Sequence, residues 1–372
     1  MAKKSVQLSG IAVAETGLSS IDAERGILMY RGYDIADLAE HATYEEVAYL
    51  LLEGDLPSPD QLEAFREELS ARELPAAVAA IVDGNAREAS PMETLRTAVS
   101  ALSFADPDEA AIDRESERRK AAQLTAQLPT IVARYERRRA GRAAVPPDPS
   151  LSYAENFLTM LRGEAPSEEE TRALDVAMIL HAEHELNAST FTARVVAGTL
   201  ADMHSAVTAA ICALKGPIHG GANQMAMEFF EEIGSPERAA DAVRERLEQK
   251  RTVYGFGHPV YVTTDPRAKI LKRLSEQFSH DGGEPNWYAI TEATERAVVE
   301  QKGLWPNVDL YSGSLYRYLG IPNDLFPLLF AASRVVGWCA HVLEQHADNK
   351  IIRPAAEYVG PEPRQFPVGQ RS

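Results

Sequence analysis

Ser167-Glu-Glu-Glu-Thr-Arg-Ala-Leu-Asp-Val-Ala-Met-Ile-Leu-His181 opens with a helix N-cap, places three acids in the first turn, and then repeats apolar residues at three- and four-residue spacings. The same periodicity continues to Gly198, so the reading is one helical run over Glu168 to Gly198. It recurs over Tyr44 to Gly54, Pro59 to Glu73, Pro91 to Ser103, Ser116 to Gly141 and Tyr153 to Arg162. Ser58 and Ser90 each precede a proline suited to the first helical position, with Gln61 and Glu93 placed to complete a capping box. Strand signals are confined to Gly17 to Asp22 and Gly26 to Arg31, joined as a hairpin would be. The expected fold class is all-α with a small N-terminal β-hairpin.

A chain of 372 residues, 45% of them apolar and 25% charged, can bury the core of two packed domains. Its net charge of -17 repels nucleic acid and anionic membrane surfaces, so an anionic substrate needs a dedicated arginine pocket. The N-terminus, Met1 to Gln7, is basic but lacks the apolar core of a secretory signal, which points to the cytoplasm. The apolar stretch Leu325 to Leu343 carries Pro327 and Arg334, and no membrane span is expected. Cys212 and Cys339 lie in apolar helical patterns and read as small core residues. Loops are expected at Arg137 to Ser150 and Ser279 to Pro285, and an extended arm at Pro361 to Ser372.

Three segments put a histidine or carboxylate in a break between helices: Gly216-Pro-Ile-His-Gly-Gly-Ala-Asn223, Gly255-Phe-Gly-His-Pro-Val-Tyr261 and Pro306-Asn-Val-Asp-Leu-Tyr-Ser-Gly313. His219 falls at or near a helix N-terminus, whose positive end favours the neutral ring and suits a hydrogen-bond donor; capping its own loop is the other reading. Gly255 and Gly257 allow close backbone approach to a ligand beside His258, although such a segment also serves as a plain helix-to-helix turn. Asp309 works as a base if Val308 and Leu310 raise its proton affinity, or else caps the following helix.

His181 and His184 stand three residues apart on one expected helical face. The spacing is not that of a zinc helix and no cysteine pair accompanies it, so one imidazole is expected to face substrate while the other packs. Arg267, Arg334 and Arg353 lie in apolar or proline-bounded settings and read together as a clamp for a small polycarboxylate, against the alternative of structural ion pairs.

Taken together, these segments resemble the signatures of the citrate synthase family in content, order and spacing, and the likeness runs from Tyr30-Arg-Gly-Tyr-Asp-Ile35 to Asn349-Lys-Ile-Ile-Arg-Pro354. The resemblance implies a large helical domain, 1–218 with 319–372, and a small domain, 219–318, that closes over the substrates. It implies condensation of acetyl-CoA with oxaloacetate, without metal or a cofactor other than acetyl-CoA as substrate. Asp309 would be the base at the acetyl methyl group, His219 the donor to the thioester oxygen, and His258 the acid at the oxaloacetate carbonyl. His184, Arg267, Arg334 and Arg353 would hold oxaloacetate, with Arg353 reaching the neighbouring site of a homodimer. Pro259 stands where many members have arginine, which leaves 2-methylcitrate synthesis from propionyl-CoA as the alternative. Val262 replaces a basic residue near the CoA phosphates, so Arg251 and Lys250, with the backbone of Gly255, Phe256 and Gly257, are the substitutes expected to meet CoA.

Overall fold

The computed structural model describes residues 8, 11–70, 73–280 and 286–364. The N-terminal stretch Met1 to Gln7, residues 281–285 of the expected loop and residues 365–372 of the expected arm lie outside them. Three short strands, β1 (Ser19–Asp22), β2 (Ile27–Tyr30) and β3 (Tyr33–Asp34), form an antiparallel sheet in that order. The expected hairpin thus carries a third strand. Its register pairs Ser19 with Tyr30 and Ile21 with Leu28, and Leu28 and Tyr30 are buried on one face, as a period of two requires.

Helices follow: α1 (Ile35–His41), α2 (Tyr44–Glu53), α3 (Pro59–Leu69), α4 (Ala76–Asn85), α5 (Pro91–Leu102), α6 (Arg114–Arg139), α7 (Tyr153–Arg162) and α8 (Glu168–His181). The second half of the chain gives α9 (Ala188–Ala197), α10 (Met203–Leu214), α11 (Ala222–Ile233), α12 (Ala239–Glu248), α13 (Pro266–Ser279), α14 (Trp287–Lys302), α15 (Val308–Tyr318) and α16 (Phe326–Ala347). Capping boxes form at Ser58 with Gln61 and at Ser167 with Glu170.

The α16 helix is apolar on every side, and among the described residues it is the one long and apolar enough to cross a membrane. Its apolar stretch is wholly buried inside the fold, where the helix packs on α6, α9, α10 and α2. Helices α11 to α15 pack chiefly on one another, through α13 on α15, α11 on α15 and α12 on α14.

Two expectations fail here. The run Glu168 to Gly198 is not one helix: α8 stops at His181, and α9 restarts after Asn187, whose side chain accepts the Thr190 N–H at 3.2 Å as its N-cap. The periodicity persists across the gap because both helices face the same core, but residues 182–187 are irregular. Cys212 is exposed rather than a core residue, whereas Cys339 is buried.

Candidate active site

The break between α8 and α9 is the first wall of the site. It removes His181 and His184 from a shared helical face. The His181 ring donates from Nδ1 to the Ala177 carbonyl at 2.7 Å and packs edge-on to Phe330, 5.0 Å between centroids, so it is the packing imidazole. His184 turns the other way, its Nε2 3.2 Å from the Tyr261 hydroxyl and its ring 5.0 Å from that of His258. Burial, then the charge of Arg267, holds His184 well below its ordinary pKa, so the ring is neutral.

His258 accepts the backbone N–H groups of Val260 at 3.0 Å and Tyr261 at 3.3 Å through Nδ1. A neutral ring so held carries its proton on Nε2 and is a donor at that atom. Burial, joined by the Arg267 charge and opposed by Asp265, pushes its pKa down to about 4.

His219 stands three residues before α11. Its Nε2 accepts the Ser189 N–H at 3.2 Å and lies 2.8 Å from the Ser189 hydroxyl. That hydroxyl, 2.8 Å from both Nε2 and Asn187 Oδ1, shares its one proton between these two acceptors and accepts from Trp338 Nε1 at 3.2 Å. With Nε2 occupied as acceptor, the neutral ring's proton sits on Nδ1. Its pKa falls to about 4 through burial and then the Arg334 charge. The expected neutrality is present, but desolvation rather than the helix end is its main cause.

Asp309 lies in the first turn of α15, yet it does not cap the helix. Asn307 does so, its side chain accepting the Asp309 N–H at 3.0 Å. The carboxylate is thereby released from capping, and its Oδ1 is buried without a hydrogen-bond partner. Burial raises its pKa to about 7, against the lowering charges of Arg267 and Arg334. Val308 and Leu310 flank it and are buried.

Two of the three expected arginines converge here. Arg267, at the start of α13, is buried in a two-pronged pair with Asp265, Nε to Oδ1 at 3.0 Å and NH2 to Oδ2 at 2.7 Å. Arg334 is buried in α16, donates from Nε to the His181 carbonyl, lies over the Phe330 ring at 4.8 Å, and leaves NH2 without a partner. Burial brings its pKa down to about 10 against the opposing charge of Glu183, so it stays protonated at neutral pH. An unpaired guanidinium nitrogen inside a protein is costly unless an anion arrives to meet it. Arg353 is not brought in: it is exposed on the irregular segment after α16 and makes no hydrogen bond or ion pair among the described residues.

The segment expected to be open to CoA is differently used. The Gly257 N–H donates to the Trp305 carbonyl at 2.8 Å, and the Gly255 carbonyl accepts the Asn307 N–H at 3.0 Å. Phe256 faces Pro306 in an isolated bridge. The glycines therefore seat the Asp309 segment: at Gly255, with φ +88°, a Cβ would lie 2.9 Å from Leu310 Cδ1. Arg251 is exposed beyond α12 and makes no ion pair among the described residues.

His184, His258 and Asp265 bring one ligand atom each within 4.8 Å of one another. They do not suit a cation. Asp265 is committed to Arg267, His258 Nδ1 accepts two backbone N–H groups, and the Arg267 charge bears on both imidazoles.

Sequence reading missed Ser189, Asn187 and Trp338, which fix the His219 tautomer, and Tyr261 and Phe330, against which the imidazoles pack. Only Asn187 carried a local signal, as an N-cap residue ahead of an apolar run.

Fold and site define a helical enzyme with a buried carboxylate of raised pKa, two buried guanidinium groups and three imidazoles held neutral. The family model for the citrate synthase C-terminal domain matches residues 7–355. A citrate synthase of Haloferax volcanii is 47% identical over 98% of both chains, and a 2-methylcitrate synthase of Shewanella oneidensis is 42% identical over 98% of this chain and 97% of its own. A solved ternary complex of carboxymethyl coenzyme A and oxaloacetate with the citrate synthase of Thermoplasma acidophilum superposes with a TM-score of 0.93 at 36% identity, covering 98% of each chain. The chain belongs to the citrate synthase family, and it is an acyltransferase.

Proposed function

We propose that the enzyme is a citrate synthase that condenses acetyl-CoA with oxaloacetate and hydrolyses citryl-CoA to citrate and CoA. The observation that carries the mechanism is the set of free valences gathered around two buried guanidinium groups: Asp309 Oδ1, Arg334 NH2, and the proton-bearing nitrogens of His219 and His258, each of these residues under the charge of Arg267 or Arg334. Asp309, ionised near neutral pH, removes a proton from the acetyl methyl group. His219 Nδ1–H donates to the thioester oxygen as negative charge develops there. Because the donor is already in place and partly desolvated, stabilisation of this kind is commonly worth about 10²–10³ in rate.

His258 Nε2–H polarises the oxaloacetate carbonyl and passes its proton to the alkoxide formed when the acetyl carbon attacks. Arg267 and Arg334 neutralise the oxaloacetate carboxylates, with His184 beside them. Citryl-CoA is then hydrolysed by water. Polarisation by imidazole N–H and guanidinium groups requires no metal or cofactor besides the acyl-CoA substrate.

In this reading residues 219–318, the part of the chain carrying His219, His258 and Asp309, close as a small domain over His184 and Arg334. The mutual packing of α11 to α15 supports that division. Closure withholds water until citryl-CoA has formed. The exposed Arg353 completes the site of the neighbouring subunit in a homodimer.

The test is CoA release, followed with a thiol reagent, from oxaloacetate with acetyl-CoA or propionyl-CoA at matched concentrations. Higher kcat/KM with acetyl-CoA supports this function. Preference for propionyl-CoA assigns 2-methylcitrate synthesis, and release with neither refutes the proposal.

A further inference from the structure

The β-hairpin reads in the sequence as an ornament, yet its hydrogen bonds run to both sides of the proposed oxaloacetate pocket. On one side Tyr30, fully buried, donates its hydroxyl to the Glu183 carbonyl at 2.7 Å and accepts the Glu183 N–H at 3.2 Å. Ser19 donates to Glu183 Oε1 at 3.0 Å and accepts the Glu185 N–H at 3.0 Å. His184 is therefore gripped through both of its chain neighbours. Glu185 adopts φ +50°, a left-handed conformation that a non-glycine residue keeps only when its surroundings impose it. The Glu183 carboxylate is held further by His341 Nε2 at 2.9 Å, and His341 Nδ1 lies 3.1 Å from Arg194 NH1.

On the other side the hairpin turn meets the segment between His258 and Arg267. The Ala23 carbonyl accepts the Val262 N–H at 3.3 Å. Gly26, at φ +63°, lies so close that a Cβ would stand 3.0 Å from Thr263 Cγ2 and 3.3 Å from the Thr264 carbonyl oxygen. Neither segment has a helical ladder of its own, so its backbone groups depend on such outside partners for a fixed conformation.

We infer that the hairpin is a strut of the oxaloacetate pocket, with Tyr30, Ser19 and Gly26 as positioning residues that set His184 against the His258 to Arg267 segment. The inference rests on the function proposed above. It goes beyond it in assigning oxaloacetate affinity to residues that touch no substrate.

The experiment is steady-state CoA release by the full-length Y30F and G26A variants, varying each substrate at saturating levels of the other. Y30F strands the Glu183 N–H and carbonyl, and G26A pushes the hairpin turn off Thr263 and Thr264. In each variant KM for oxaloacetate should rise about tenfold while KM for acetyl-CoA stays within about twofold. G26A acts at the turn, so the test survives if Y30F fails to fold. An oxaloacetate KM within twofold of the parent in folded protein, or equal increases in both KM values with a lowered urea midpoint, overturns the inference. A parent enzyme that releases no CoA overturns the proposed function instead.

Discussion

Asp309→Asn should cost activity and return stability, with a pH dependence that identifies the cause. Burial raises the Asp309 pKa from 3.8 to about 7, so the folded protein retains a proton there, between those values, that the unfolded chain has released. The stability linked to that proton is therefore fully present below about pH 4, declines through this window and is gone above pH 7. At 1.36 kcal/mol per pK unit the shift corresponds to about 4 kcal/mol, an upper bound because local relaxation and water entry soften the cost of a buried charge.

Asparagine has no such charge to bury. At pH 8 its unfolding free energy in urea should exceed the parent's by about 1–4 kcal/mol, and near pH 4.5 the two should approach one another. Turnover should fall by about 10²–10⁴, the usual worth of a positioned general base. In the parent, kcat/KM should drop as the pH falls below 7 and the base becomes protonated. Parent-level turnover in the variant would refute the assigned base, and an unchanged pH slope of stability would refute burial of Asp309 as the source of its shift.

Ser189→Ala removes the hydroxyl beside His219 Nε2 and should lower kcat by roughly tenfold to a hundredfold, less than loss of the imidazole donor itself, with KM for oxaloacetate unchanged in the CoA-release assay. Gly255→Ala places a Cβ 2.9 Å from Leu310 Cδ1 in a left-handed backbone; it should cost about 1–3 kcal/mol in urea unfolding and lower kcat by displacing the Asp309 segment. Arg353→Ala and Asp309→Asn subunits, each inactive alone, should regain about a quarter of parent activity after mixing and subunit exchange if Arg353 acts across a two-fold dimer, since each mixed dimer then holds one intact site. No recovery in dimers shown by mass to be mixed would place Arg353 in its own subunit's site.

The sequence by itself determined the local alphabet: the caps at Ser58 and Ser167, the helical periodicity, and the His219, His258 and Asp309 segments with their spacing. These are properties of neighbouring residues, and the physics that sets them acts within a few turns of chain. Tertiary structure decided what the groups do. Asp309 is free of the helix cap because Asn307 takes it, and burial raises the carboxyl's proton affinity. His219 presents Nδ1–H because Ser189, thirty residues away, occupies Nε2. The helix read over Glu168 to Gly198 stops at His181, and in the gap that holds His184 a hairpin some 150 residues earlier takes up the Glu183 backbone groups. Cys212 lies in a pattern that periodicity assigns to the core, yet the packed helices leave it exposed. Burial, tautomer and charge depend on which distant surfaces meet, and no local window of the chain contains that information.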